Sequence, residues 1–194
     1  MTRHYSNRTE LHQKILEGVD VLADNVASTL GPRGRNVILH QKGKNPITTK
    51  DGVTVAKFVE LEDPIQNAGA QILKQAADQT NTEAGDGTTT STVLARAILK
   101  QAQRYLISGA SPIELKRGID KAVEAIVERL EEQAVPISSE QDIAHIATIS
   151  ANGDESIGKL IATAVDSAGK DGAISVEEAR SLETSLELTE GFIF

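Results

Sequence analysis

The chain has 194 residues, a net charge of −8 and no cysteine. That length allows one or two domains, and the missing cysteine excludes disulfides, zinc–thiolate sites and a thiol nucleophile. The acidic balance with no basic cluster, and the lack of any apolar run of spanning length, predict neither nucleic acid nor a membrane as partner. Aromatic residues make up 3% of the chain. A core of Ile, Leu, Val and Ala is therefore expected, a composition suited to packed helices. His4, His12, His40 and His145 lie too far apart to form a metal-ligand pattern. Met1–Tyr5 carries no hydrophobic signal region, so a cytoplasmic protein is expected.

In chain order, Leu11, Ile15, Val19, Leu22 and Val26 form one helical stripe over Thr9–Ser28. Leu30-Gly31-Pro32-Arg33-Gly34 stops that helix. Asn36–His40 and Pro46–Lys50 read as two short strands of a hairpin, closed by the turn Lys50-Asp51-Gly52. Pro64–Thr80 is a second amphipathic helix, and Ser91–Ile107 a third. Ser111, Pro112 and Glu114 predict a capped helix start, and the stripe from Leu115 to Leu130 continues it. Glu128–Glu132 on that helix reads as a solvated face.

The helix ends before Pro136, because the residue preceding proline disfavours helical geometry. A hinge or domain boundary is expected there. Ser138–Ala147 is expected as a short helix capped by Ser138. A further helix through Ile157–Val165 closes at Gly169. Lys170-Asp171-Gly172 turns the chain, and Ala173–Val176 and Leu186–Glu190 read as strands. The final Gly191-Phe192-Ile193-Phe194 reads as a cut edge. The expected fold is mostly α with small antiparallel β pieces, one domain over 1–133 and a smaller one over 134–190.

Glu83-Ala84-Gly85-Asp86-Gly87-Thr88-Thr89-Thr90 is the most unusual stretch. Threonine is a middling helix former, so three together at a first turn need a reason. A helix N-terminus offers unpaired N–H groups and a positive dipole end to phosphate. Glycines allow close approach, threonine hydroxyls can donate, and a neighbouring carboxylate can hold Mg²⁺. The plain alternative is a glycine turn with an Asp or Thr cap. Neither a Walker A loop nor a Rossmann fingerprint is present. Thr29–Gly34 and Lys50-Asp51-Gly52 are two more loops of this kind. With Asp51 and Asp86 they could form a metal–phosphate site if the fold gathers them.

Longer motifs carry a resemblance. Val21-Leu22-Ala23-Asp24, Thr29–Val37, Thr49–Ala56, Ala84–Thr90, Leu115–Val123 and Thr148–Asn152 together resemble the N-terminal part of a group I chaperonin subunit of the GroEL type. Gly34-Arg35-Asn36-Val37 points to the bacterial and organellar group. The resemblance implies an equatorial helical bundle with small β-hairpins over 1–133. It also implies the ascending half of an α+β intermediate domain over 134–190, and the start of an apical domain at 191–194. It implies an ATP-hydrolysing ring subunit, homo-oligomeric, that assists unfolded client proteins with a lid cochaperonin. ATP and Mg²⁺ are the implied cofactors, with K⁺ a candidate third.

By motif, Thr29, Leu30, Gly31 and Pro32 would line the nucleotide, and Lys50 would contact phosphate. Asp86 would be the metal ligand, with Gly87, Thr88, Thr89 and Thr90 cradling the β/γ end. Asp51 would stand near the γ-phosphate in the catalytic role, placing metal or water. Ile149 and Ser150 would approach from the intermediate side. The apical domain, the returning intermediate strand with its catalytic aspartate and the second equatorial segment are absent from the sequence. The alternative is therefore a truncated, non-hydrolysing nucleotide-binding or subunit-interaction piece with no folding activity of its own.

Overall fold

The structure, a computed structural model, describes residues 8–169, 172–177, 184–189 and 191. Met1–Tyr5, Lys170-Asp171, Glu190 and Phe192–Phe194, on which some of the expectations above fall, lie outside them. The first apolar stripe winds into α1 (Arg8–Ala27), and the two β-rich segments form β1 (Val37–Leu39) and β2 (Ile47–Thr49). These pair antiparallel with Ile38 opposite Thr48. The remaining helices are α2 (Gly52–Phe58), α3 (Pro64–Ala84), α4 (Thr88–Ile107), α5 (Pro112–Gln133), α6 (Glu140–Ser150) and α7 (Glu155–Ala168). The mostly helical fold expected from periodicity is what forms. The chain divides into two compact units, Met1–Glu124 and Ala125–Phe194.

In the first unit the core is aliphatic, as the composition requires. Val19, Leu22 and Val26 of α1 pack with Val55 of α2, Leu73 of α3 and Leu39 of β1, all buried. Two glycines let α1 and α3 touch backbone to backbone. A methyl group on Gly18 would fall 1.8 Å from the Gln66 carbonyl oxygen, and one on Gly69 would fall 2.2 Å from that of Ile15. The pairings Ile15–Gly69 and Gly18–Gln66 make the two helices antiparallel. α4 runs antiparallel to α1 as well. Lys100 pairs with Asp20 at 2.7 Å, and one turn further along Arg96 pairs with Asp24.

Asp63 joins local to tertiary structure. Its carboxylate caps α3 by accepting from the Ile65 and Gln66 amides at 2.8 and 3.2 Å, and it pairs with Lys14 of α1 at 2.7 Å. The Lys14 hydrogen bond, helped by the two amides, holds the Asp63 carboxyl below the usual carboxylate range. The same bond raises Lys14. A depressed carboxylate stabilises the fold above its unfolded value, about pH 3.9, and loses that contribution as pH falls through the lower folded value. Asp63→Asn should therefore reduce the urea midpoint at pH 7 and flatten its decline below about pH 4. Equal pH slopes for the two proteins would contradict the link. For Lys14 the raised value means stabilisation that is complete below the ordinary lysine range and lost only as pH climbs past the folded value.

In the second unit, α6 and α7 form an antiparallel hairpin through Ala151-Asn152-Gly153. Asn152 takes φ 57° and Gly153 φ 93°, the left-handed geometry that ends α6. Gly158 lies so close to α6 that a methyl there would meet the Thr148 hydroxyl at 2.0 Å. The α6 cap is Ser139 rather than the expected Ser138. Ser139 and Asp142 complete a capping box, and Asp142 also takes the Ser138 amide at 3.1 Å.

Some expectations fail. Among the described residues, 172–177 and 184–189 form no strand. Alternation alone does not hold a strand, because its N–H and C=O groups need a partner ladder. Glu114, expected to close a box with Ser111, pairs instead with Arg117 at 2.7 Å. No residue of α5 is buried, and Ile113, Ile126 and Leu130 are each more than half exposed. No described helix is long and apolar enough to cross a membrane.

Candidate functional site

The three glycine-bearing loops meet at Thr89. α1 ends in a knot in which the Arg35 amide donates back to the Ser28 carbonyl at 2.8 Å, and Gly31 turns the chain with φ 69°. At its base Thr29 is buried, its hydroxyl donating to Val26 O at 2.8 Å and lying 3.3 Å from the Thr89 hydroxyl. From another side, the Asp51-Gly52 step is pressed against α4. A methyl on Gly52 would sit 2.1 Å from Thr89 Oγ1. Thr29, Gly52 and Thr89 thus draw the predicted loops together.

The sequence did not announce α2, which was taken for a turn. Asp51 is its cap, accepting from the Val53 and Thr54 amides at 3.4 and 2.8 Å and from the Thr54 hydroxyl at 2.6 Å. The signal available was an aspartate two and three residues ahead of amides opening an apolar helix, the usual cap arrangement. Asp51 Oδ2 carries the two shorter bonds, so Oδ1 keeps the more open acceptor positions. The carboxylate is oriented by α2 and can still accept.

The α4 terminus differs from its neighbours. Side chains cap α2, α3, α6 and α7 through Asp51, Asp63, Ser139 and Asp154. α4 starts on Gly87 at φ 82° with no side-chain cap. Asp86, which plain reading made the cap, instead accepts from the Gly87 amide at 2.6 Å. The first-turn amides of α4 therefore face no protein carboxylate, and the positive end of the helix stays available to an anion.

The three threonines are not equivalent. Thr88 is buried, Thr89 half-buried against Thr29 and Gly52, and Thr90 exposed. Behind them Thr92 is completely buried, its hydroxyl donating to Thr88 O at 2.8 Å. Leu30, Gly31 and Pro32 are exposed on the same loop, and Lys50 is half-buried just before Asp51. Ile149 and Ser150 belong to the second unit. Among the described residues no group of three or more His, Cys, Asp or Glu could hold a metal by itself. A Mg²⁺ at Asp86 would take its other ligands from phosphate oxygens and water, which is how that ion is usually bound.

A cavity of about 480 Å³ in the second unit, lined by Ile137, Ile143, Ile146, Ile157 and Ile161, has no cationic or carboxylate lining and does not suit a phosphate.

Residues 22–194 match the TCP-1/cpn60 chaperonin family. The chain belongs to that family. Among solved structures, a group III chaperonin in the open state aligns at 26% identity and a TM-score of 0.67, over 81% of this chain and 31% of the other. The chaperonin gp146 from the bacteriophage EL 2 (Pseudomonas aeruginosa), crystallised in the presence of ATP-BeFx, aligns at 30% identity and a TM-score of 0.65. That alignment covers 79% of this chain and 27% of the phage protein. The chaperonin chain thus spans less than a third of either relative. The helical first unit expected from the motifs is a chaperonin fold.

Proposed function

We propose that this chaperonin chain supplies the phosphate-side wall of a Mg-ATP site in a ring-forming, ATP-driven folding machine of the group I type. The observation that carries the reading is the uncapped α4 terminus, Gly87–Thr90, at the meeting point of the Thr29–Gly34 and Lys50–Gly52 loops. Family membership and the ATP-BeFx in the phage relative support it.

In this reading the α4 amides and the Thr89 and Thr90 hydroxyls donate to phosphate oxygens. Lys50 adds a cation. Asp86 holds the metal, whose contribution when bound is to neutralise phosphate charge. Thr29–Pro32 flank the nucleotide. Asp51, fixed by its cap bonds to α2, accepts a hydrogen bond from metal-bound or attacking water through Oδ1. The client, lid and ring partners, the cytoplasmic location and any K⁺ follow from the family resemblance and share its standing.

The test is titration of the chain with a fluorescent ATP analogue in the presence and absence of Mg²⁺, with turnover measured in parallel. Wild type should bind in a Mg²⁺-dependent way, and Asp86→Ala should weaken binding at least tenfold. Binding indifferent to both Mg²⁺ and Asp86→Ala would sink the reading. The second reading, a nucleotide-binding or subunit-interaction piece without hydrolysis, is favoured by the wholly exposed apolar side of α5. Binding without turnover selects it, and steady turnover removes it.

A further inference from the structure

Gly52 has no backbone reason to be glycine. It is the first residue of α2, and it is not among the glycines with positive φ. At such a position alanine is the better helix former. Yet Gly52 is buried, and an added methyl would fall 2.1 Å from Thr89 Oγ1, 3.1 Å from Thr89 Cβ and 3.2 Å from Thr89 Cα. The space denied to a side chain is occupied by the residue that also touches Thr29.

We propose that Gly52 is a positioning residue for the nucleotide site, a role that rests on the reading above. By letting α2 close onto the first turn of α4, it sets the separation between the Asp51 carboxylate and the α4 amides and holds Thr89 against Thr29. Rotating the Thr89 side chain offers no escape. Turning Oγ1 away from a methyl at 52 takes it off Thr29, and Cβ and Cα remain tight against the methyl. Either the hydroxyl contact breaks or the two loops part. Asp51 and the α4 terminus belong to different helices joined by long connections, so their spacing depends on this contact.

The test is a double-mutant cycle on the full 194-residue chain, read by Mg-dependent binding of a fluorescent ATP analogue and by thermal melting without nucleotide. Gly52→Ala should weaken binding tenfold or more and leave the nucleotide-free melting temperature near that of wild type, a split that a purely structural defect would not give. Thr89→Ala alone should weaken binding several-fold. Gly52→Ala/Thr89→Ala should bind no worse than Thr89→Ala, because the hydroxyl that the methyl strikes is gone. Wild-type affinity in Gly52→Ala overturns the proposal, and so does a double variant whose loss is the product of the two single losses. If Gly52→Ala does not fold, recovery of folding and binding in the double variant supports the contact, and failure of both overturns it. A wild-type chain that binds no Mg-nucleotide overturns the nucleotide reading and this role with it. That result is distinguishable from a wild type that binds and a Gly52→Ala that binds equally.

Discussion

Gly18→Ala should destabilise the first unit by at least about 1–3 kcal/mol, while the same change at Gly118 should stabilise its helix by up to about 1 kcal/mol. Both glycines sit inside helices without positive φ. They differ in what a methyl would meet. At Gly18 it would lie 1.8 Å from Gln66 O and 2.6 Å from Gln66 C, backbone atoms of α3 that cannot swing aside as a side-chain tip can. At Gly118 nothing lies within 4 Å. Relief at Gly18 requires α1 and α3 to separate, which also loosens the Gly69–Ile15 crossing and the core beneath. Urea denaturation followed by circular dichroism checks the pair. Opposite signs are expected, and two changes of the same sign would refute the account.

Leu22→Ala should cost about 2–5 kcal/mol, a large part of the 5–15 kcal/mol that holds a typical domain together. Leu22 is 0% exposed at the centre of α1. It is surrounded by buried aliphatic side chains from three other elements, none aromatic, and each is held by its own helix or strand. The cavity would therefore collapse poorly, which places the cost in the upper half of the range. The apolar change Ile113→Ala on α5, where Ile113 is 66% exposed, should stay within about 0.5 kcal/mol. A fall in the urea midpoint with an unchanged slope would show that stability, rather than the denatured state, has moved. Comparable midpoints for the two variants would mean that α1 is not the centre of the core.

Much of this fold was legible in the chain because its helices obey one rule. The stripes of α1, α3, α4 and α7 repeat at helical spacing, and Gly31, Gly109 and Gly169 mark where three of those helices stop. The hairpin was legible for a similar reason, as two β-rich triplets flanking a polar link. α2 was not, because seven residues are too few to show a period, and Lys50-Asp51-Gly52 fits a turn equally well. Its cap bonds exist only once the helix exists. The strands expected over Ala173–Val176 and Leu186–Glu190 failed in the opposite way. There the pattern was present, but a pattern cannot supply the partner that makes a strand.

The candidate site followed the same division. Its loops could be named from glycine, threonine and aspartate, residue types with distinct chemistry. Their convergence on Thr89 depends on a methyl that is missing at Gly52 and a hydroxyl buried at Thr29, neither of which has a one-dimensional signature. The division of labour among the threonines was hidden for the same reason. Burial of Thr88 and exposure of Thr90 follow from how α4 is rotated, and rotation is a tertiary property.

The ionic seam between α1 and α4 is a degenerate code. Asp20 meets Lys100 and Asp24 meets Arg96. Sliding α4 by one turn would set Asp24 opposite Lys100 and Asp20 opposite Arg104, again two complementary pairs. Charge therefore attracts the helices without choosing between these alignments. The choice falls to shape: in the slid alignment Thr29 would lose Thr89, and α2 would lose the surface into which Gly52 fits. Added salt should accordingly loosen the seam without changing which threonines meet. Evolutionary drift in the charges is tolerable wherever that fit is kept.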